Sequence, residues 1–229
     1  MANSGDLNDA AIALRQVLGP TDFVFGIFGG YACGALGGPR ISKDVDCLVN
    51  ATKEQIVREL NGKCGFTWTG NTRKDYVAFL WSVKGTEAPV LVECFPTPTQ
   101  IRHPLLVAVT GSTLGTKSIQ LLDPVSIFKG KLRAAATRDK FSDSVDLAFL
   151  EEHYRKQLQA RRSEISPMYV AQALERWPIL QDTFIRLGMD LDSCKKTAVL
   201  EAQSSDYDAQ GSNAVQNGIA FGIPGQRRP

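Results

Sequence analysis

Histidine is nearly missing from this sequence: His103 and His153 are the only two in 229 residues. That scarcity argues against a His-built metal centre and against a Cys/His nucleophile, both of which need imidazole. The five cysteines, Cys33, Cys47, Cys64, Cys94 and Cys194, are odd in number, widely spaced and mostly set in apolar runs. Such a set reads as reduced core thiols, not as a disulfide framework or a zinc site. No apolar run reaches membrane-spanning length, and the opening MANSGDLNDAAIALRQVLG carries acids without a basic leader segment. A soluble, cytoplasmic protein with no membrane contact is the expectation. The net charge is only +2, which excludes a broad basic footprint for duplex nucleic acid but leaves room for a local basic groove.

Two familiar nucleotide-binding motifs are absent as well. The stretch GSTLGTKS at 111–118 resembles a phosphate-binding loop, but Thr116 separates Gly115 from Lys117, and the residues after it read as strand, not helix. The glycines between 26 and 38 never fall into the G-x-G-x-x-G spacing of a dinucleotide site.

What the chain does have is 43% hydrophobic residues, enough for one substantial core with a helical appendage. Residues 6–18 carry Leu7, Ala11, Leu14 and Leu18 on one helical stripe, stopped at Gly19-Pro20. FVFGIF reads as a buried strand, YACGALGG as a short helix, KDVDCLV as a strand and TKEQIVREL as a helix capped by its threonine. FTWTG, YVAFLWSV, VLVECF, LLVAVT and SIQLL are further strands. Alternation of strand and helix followed by consecutive strands predicts a mixed sheet. From Pro124 the pattern is helical, and the last residues are rich in Ser, Gly, Gln and Asn. The expected division is an α/β core at 1–123, a helical region at 124–203 and a flexible tail at 204–229 whose removal leaves stability nearly unchanged, unless Ile219, Phe221 and Ile223 dock on the core.

The residues with chemical potential cluster early. Asp44 and Asp46 lie two apart in a strand, so both project from one face while Val45 projects from the other. Two carboxylates so placed suit a hard cation such as Mg²⁺; taken alone, they better suit a solvated strand end. Gly29 and Gly30 follow a strand and open a helix, which frees backbone N–H groups for a phosphate or simply allows a tight turn. Glu93 stands inside VLVECF, where a carboxylate needs either a partner or a function. Lys131 and Arg138 are two helical turns apart, and Asp143 and Asp146 share a face of the next helix. An exposed position is expected for Lys131, with Lys129 and Arg133 as surface controls on the same helix.

Taken together these residues resemble the nucleotidyltransferase fold superfamily of the DNA polymerase β type. Phe28-Gly29-Gly30, a gap and Asp44-Val45-Asp46 match its first motif, and Glu93 matches its third carboxylate. More narrowly, GGYACGALGGPRISKDVD is similar to the form found in AbiEii-type toxins, which puts Arg40 and Ser42 on pattern positions. KLRAAATR and RDKFSDSVDLAFL resemble the family's later helical motifs. Gly30 stands where serine is commoner. The resemblance implies an α/β, or α+β, fold with a mixed sheet and a C-terminal helical region. It also implies metal-dependent transfer of a nucleoside monophosphate from an NTP such as ATP to a hydroxyl acceptor, with release of pyrophosphate. Asp44, Asp46 and Glu93 would be catalytic and hold Mg²⁺ or Mn²⁺, while Gly29, Gly30, Arg40, Ser42, Lys131 and Arg138 would bind the nucleotide. The acceptor could be a small molecule, a tRNA end or a protein. A relative that has kept the fold as an inactive binding or scaffolding protein is the alternative.

Overall fold

A computed structural model describes residues 3–70, 73, 75–86, 88–98, 101–202 and 219. The chain divides into two units, Met1–Asp123 and Pro124–Pro229. In the first, the elements run α1 (Ser4–Leu18), β1 (Phe25–Phe28), α2 (Gly29–Ala35), β2 (Asp44–Val49), α3 (Lys53–Leu60), β3 (Phe66–Trp68), β4 (Val77–Trp81), β5 (Val90–Pro96), β6 (Leu105–Thr110) and β7 (Thr116–Leu121). The seven strands form one sheet in the order β3-β4-β5-β2-β1-β7-β6. β2 and β5 run parallel, as do β1 and β7, and the other neighbours are antiparallel. The mixed sheet is thus present, and the central strands β1 and β2 carry the sequence motif.

Local chemistry explains the element boundaries. The Asn3 side chain caps α1 by accepting from the Asp6 N–H at 2.8 Å, and Leu7, Ala11, Leu14 and Leu18 are buried as one stripe. Thr52 and Gln55 close a reciprocal capping box at α3. The GSTLGTKS segment is the β6–β7 hairpin, and its backbone is already engaged. Asp9 accepts from the N–H groups of Thr113 (2.7 Å) and Leu114 (2.8 Å) and from the Thr113 hydroxyl (2.9 Å). A buried carboxylate fills the concavity that a phosphate would occupy in a phosphate-binding loop, so this acid ties a helix to a hairpin.

The second unit holds α4 (Pro124–Thr137), α5 (Phe141–Ala160), α6 (Pro167–Arg176), α7 (Gln181–Arg186) and α8 (Leu191–Ala202), with short 3₁₀ turns at Arg162–Glu164 and Pro178–Leu180. α5 is interrupted at Tyr154, whose backbone leaves the helical region. The single helix expected over PILQDTFIRLGM splits because its opening proline begins a 3₁₀ turn. α8 falls inside the helical region expected at 124–203 but is not singled out there as an element, since Val199 and Leu200 are exposed and no apolar stripe runs along it. Its start was legible, however: Asp190 accepts from the N–H groups of Asp192 and Ser193, each at 3.1 Å. Among the described residues no helix is long and apolar enough to cross a membrane.

Most of the expected tail lies outside the described residues, with one informative exception. Ile219 is 3% exposed, and a Cβ placed on Gly130 of α4 would sit 3.0 Å from its Cγ1. Gly130 thereby makes room for an isoleucine of the expected tail. Ile219→Ala should cost on the order of 2 kcal/mol, the usual cost of emptying a buried aliphatic site. Urea unfolding checks it; a midpoint equal to the parent protein's would mean that the contact is inconsequential.

Candidate active site

β1 delivers the chain to a tight elbow at Gly29, whose φ of +76° is unfavourable for any residue with a side chain. A Cβ there would also run into the Asp46 carboxylate, whose Cγ lies 3.2 Å from that position. Glycine is therefore needed twice over, for conformation and for space. At Gly30 a Cβ would meet the Arg40 guanidinium, with Cζ at 3.0 Å, and the Ser42 hydroxyl, also at 3.0 Å. Arg40 thus occupies the space that a side chain at the commoner serine position would take. Ser42 in turn donates to Asp44 Oδ1 at 3.0 Å. The elbow, the 40–42 segment and β2 form one contiguous group.

Strand alternation and register build the carboxylate row. Asp44 and Asp46 are half-buried on one face of β2, while Val45 and Cys47 are fully buried on the other. In the parallel β2–β5 pair Asp46 stands opposite Glu93, and in the antiparallel pairs Phe28 faces Asp46 and Ala78 faces Glu93. Glu93 therefore shares the face of the two aspartates. Burial pushes its carboxyl above the ordinary glutamate range and the nearby Asp44 charge adds to this, while a hydrogen bond with Tyr76 and the Arg73 charge work in the opposite direction. The unusual cysteines beside the acids, Cys47 and Cys94, are fully buried, and burial raises both thiols further from ionisation. They are core residues, as expected.

Among the described residues no group of three His, Cys, Asp or Glu side chains forms a ready-made metal cage. The donor chemistry nevertheless fits Mg²⁺ or Mn²⁺. Like charges in a half-buried row call for a cation, and Mg²⁺ in particular takes one or two carboxylates together with waters and substrate phosphates instead of an all-protein cage.

Lys131 and Arg138 lie in the helical unit and converge on the two acids of α5. Lys131 Nζ stands 2.6 Å from Asp146 and 3.2 Å from Asp143, and Arg138 grips Asp143 through Nε at 2.7 Å and Nη2 at 3.0 Å. Burial pushes the Asp143 carboxyl up, but the Arg138 hydrogen bond and the Lys131 charge outweigh it and hold it below the usual aspartate value. The exposed lysine expected from the sequence is corrected: Lys131 is 3% exposed and both acids are fully buried. Lys129 is no surface control either, being buried and paired with Glu164 at 3.0 Å. Sequence reasoning also missed Tyr76 and Arg73 beside Glu93. Their signal was alternation, since Tyr76 lies two residues before Ala78 and so on the same face as Glu93.

No family model matches the chain, and no curated protein matches it either. Solved structures do. MenT4, a nucleotidyltransferase toxin from Mycobacterium tuberculosis, aligns over 94% of this chain and 90% of its own, at 14% identity with a TM-score of 0.50. JHP933 from Helicobacter pylori aligns over 84% and 91% at 17% identity and a TM-score of 0.46. The lincosamide antibiotic adenylyltransferase LnuA, solved with lincomycin, aligns over 65% and 98% at 11% identity and a TM-score of 0.44. The chain has the nucleotidyltransferase fold, a mixed sheet with helices. At these identities the likeness concerns the fold alone.

Proposed function

We propose that this chain is a nucleotidyltransferase that moves a nucleoside monophosphate from an NTP to a hydroxyl acceptor and releases pyrophosphate. The observation that carries the reading is the row of Asp44, Asp46 and Glu93 on one sheet face, set against a glycine elbow that Asp46 and Arg40 crowd from two sides. Asp44, Asp46 and Glu93 would hold Mg²⁺ or Mn²⁺, as a pair of ions, which supplies neutralisation of the triphosphate and acidifies the acceptor hydroxyl. Arg40, Ser42 and the backbone of Gly29 and Gly30 orient the triphosphate. Lys131 and Arg138, which the motif resemblance assigns to the nucleotide, lie in the second unit and are engaged there by Asp143 and Asp146.

Glu93, as metal ligand or as base, assists loss of the proton from the acceptor hydroxyl. The acceptor oxygen then bonds to the α-phosphorus as the bond from that phosphorus to the β-phosphate bridging oxygen breaks, and pyrophosphate leaves. In this reading the sheet unit 1–123 carries the chemistry, and the site works in the cytoplasm, where NTPs are made. ATP is the first donor to test, and the acceptor is a small molecule, a tRNA end or a protein. The experiment is incubation of the protein with each α-labelled NTP, Mg²⁺ or Mn²⁺ and a lysate of the source organism, separated into small-molecule, RNA and protein fractions. Label in one fraction supports the reading and names the acceptor class. NTP binding with no label transferred would favour an inactive binding or scaffolding role.

A further inference from the structure

Glu93 is the longest and least constrained of the three acids, with one more rotatable bond than either aspartate. Asp46 is held against Gly29, and Asp44 receives the Ser42 hydroxyl. What fixes Glu93 comes from the segment before β4. We propose that Tyr76, clamped between the Arg73 guanidinium and the Phe95 ring, is a positioning residue that sets the Glu93 carboxylate on the row with Asp44 and Asp46. The inference rests on the role given to Glu93 above.

Four contacts and the strand register carry it. The Arg73 guanidinium carbon stands 4.8 Å from the centre of the Tyr76 ring, a cation–π distance. Arg73 is itself held by Asp75 through Nε and Nη2, both at 3.2 Å. On the sheet side, the Tyr76 and Phe95 ring centres lie 5.3 Å apart, and Phe95 meets Phe28 edge-on at 5.4 Å. Phe28 is the residue before the Gly29 elbow, so one line of rings joins the support of Glu93 to the turn that seats Asp46. Register supplies the rest: Ala78 pairs with Glu93 and Val77 with Cys94, so Tyr76 lies on the face of Glu93 beside it, and the held ring brings its hydroxyl toward the carboxylate. Phenylalanine would serve the ring contacts equally well; the hydroxyl contributes only to Glu93. Supporting groups of this kind orient the ligands of a metal and change its affinity when removed.

The test compares the parent protein with Tyr76→Phe and Glu93→Gln. One readout is the shift in melting temperature on titrating Mn²⁺ in the presence of the four NTP analogues that resist cleavage at the α–β bond. The other is kcat and KM for label transfer. Tyr76→Phe should melt like the parent without metal, need about tenfold more Mn²⁺ for half its shift, and lose a similar factor in kcat at unchanged KM for NTP. Should Tyr76→Phe fold poorly, Arg73→Met reads the same quantities with a smaller loss, because the Arg73 side chain is 63% exposed and outside the core. If Glu93→Gln loses Mn²⁺ response and transfer while Tyr76→Phe and Arg73→Met match the parent, Tyr76 does not position Glu93. If Glu93→Gln matches the parent in both readouts, the role of Glu93 itself falls, and Tyr76 with it.

Discussion

Asp46→Asn should reduce nucleotide transfer by about 10²–10³-fold, the size of effect seen when a group aimed at developing charge is removed from a preorganised site. Its melting temperature should not fall. Asp46 stands opposite Glu93 in register, two residues from Asp44, so neutralising it relieves repulsion within a half-buried row. Asparagine keeps the shape that fits against Gly29. Loss of activity without loss of stability separates a functional carboxylate from a structural one, because a structural acid would be missed by the fold. Transfer assays and thermal unfolding of the same preparation decide it, and a marked drop in melting temperature would return Asp46 to the structural class.

Lys131→Ala should have the opposite profile, a large loss of stability. The ammonium lies between Asp143 and Asp146, both fully shielded from water, and Arg138 also grips Asp143. Removing one partner of a buried ion pair leaves uncompensated charge and costs about 3–5 kcal/mol, far more than an exposed pair. For a chain of this length that is a fall of roughly 10 °C in melting temperature. Adding Asp146→Asn to Lys131→Ala should restore part of the loss, since the buried charge that faced the lost ammonium disappears. Urea unfolding of both variants measures it. Equal stability of Lys131→Ala and the parent protein would mean that the cluster is solvated in solution. Any effect of Lys131→Ala on nucleotide binding is therefore readable only once the fraction folded is known.

Much of the site was legible because it rests on short-range rules. The Asp44-Val45-Asp46 alternation fixed which side chains share a face, and the glycines after an apolar strand marked the elbow. The partnership of Asp46 with Glu93 needed strand order and register, which no local pattern carries; only the family resemblance pointed to it. Burial of Lys131 was hidden for a related reason. A helical lysine looks alike in sequence whether water or two aspartates surround it, and Asp143 and Asp146 were read as neighbours of each other, not of Lys131. Asp9 and Tyr76 were invisible because their partners lie far away in the chain, in the β6–β7 hairpin and in β5. α8 was not singled out since a helix lacking an apolar stripe announces itself only through its cap.

The most direct measurement of the central claim labels the two ends of the triphosphate separately. NTP carrying one isotope at the α-phosphate and another at the γ-phosphate is incubated with the protein, Mg²⁺ and the lysate fractions, beside Asp46→Asn as the control. The account predicts that the α-label enters one acceptor fraction while the γ-label appears as pyrophosphate in equal amount, and that Asp46→Asn does neither. Transfer of the γ-label to an acceptor with the α-label left on the nucleoside diphosphate, or α-label transfer by Asp46→Asn at the parent rate, would contradict it.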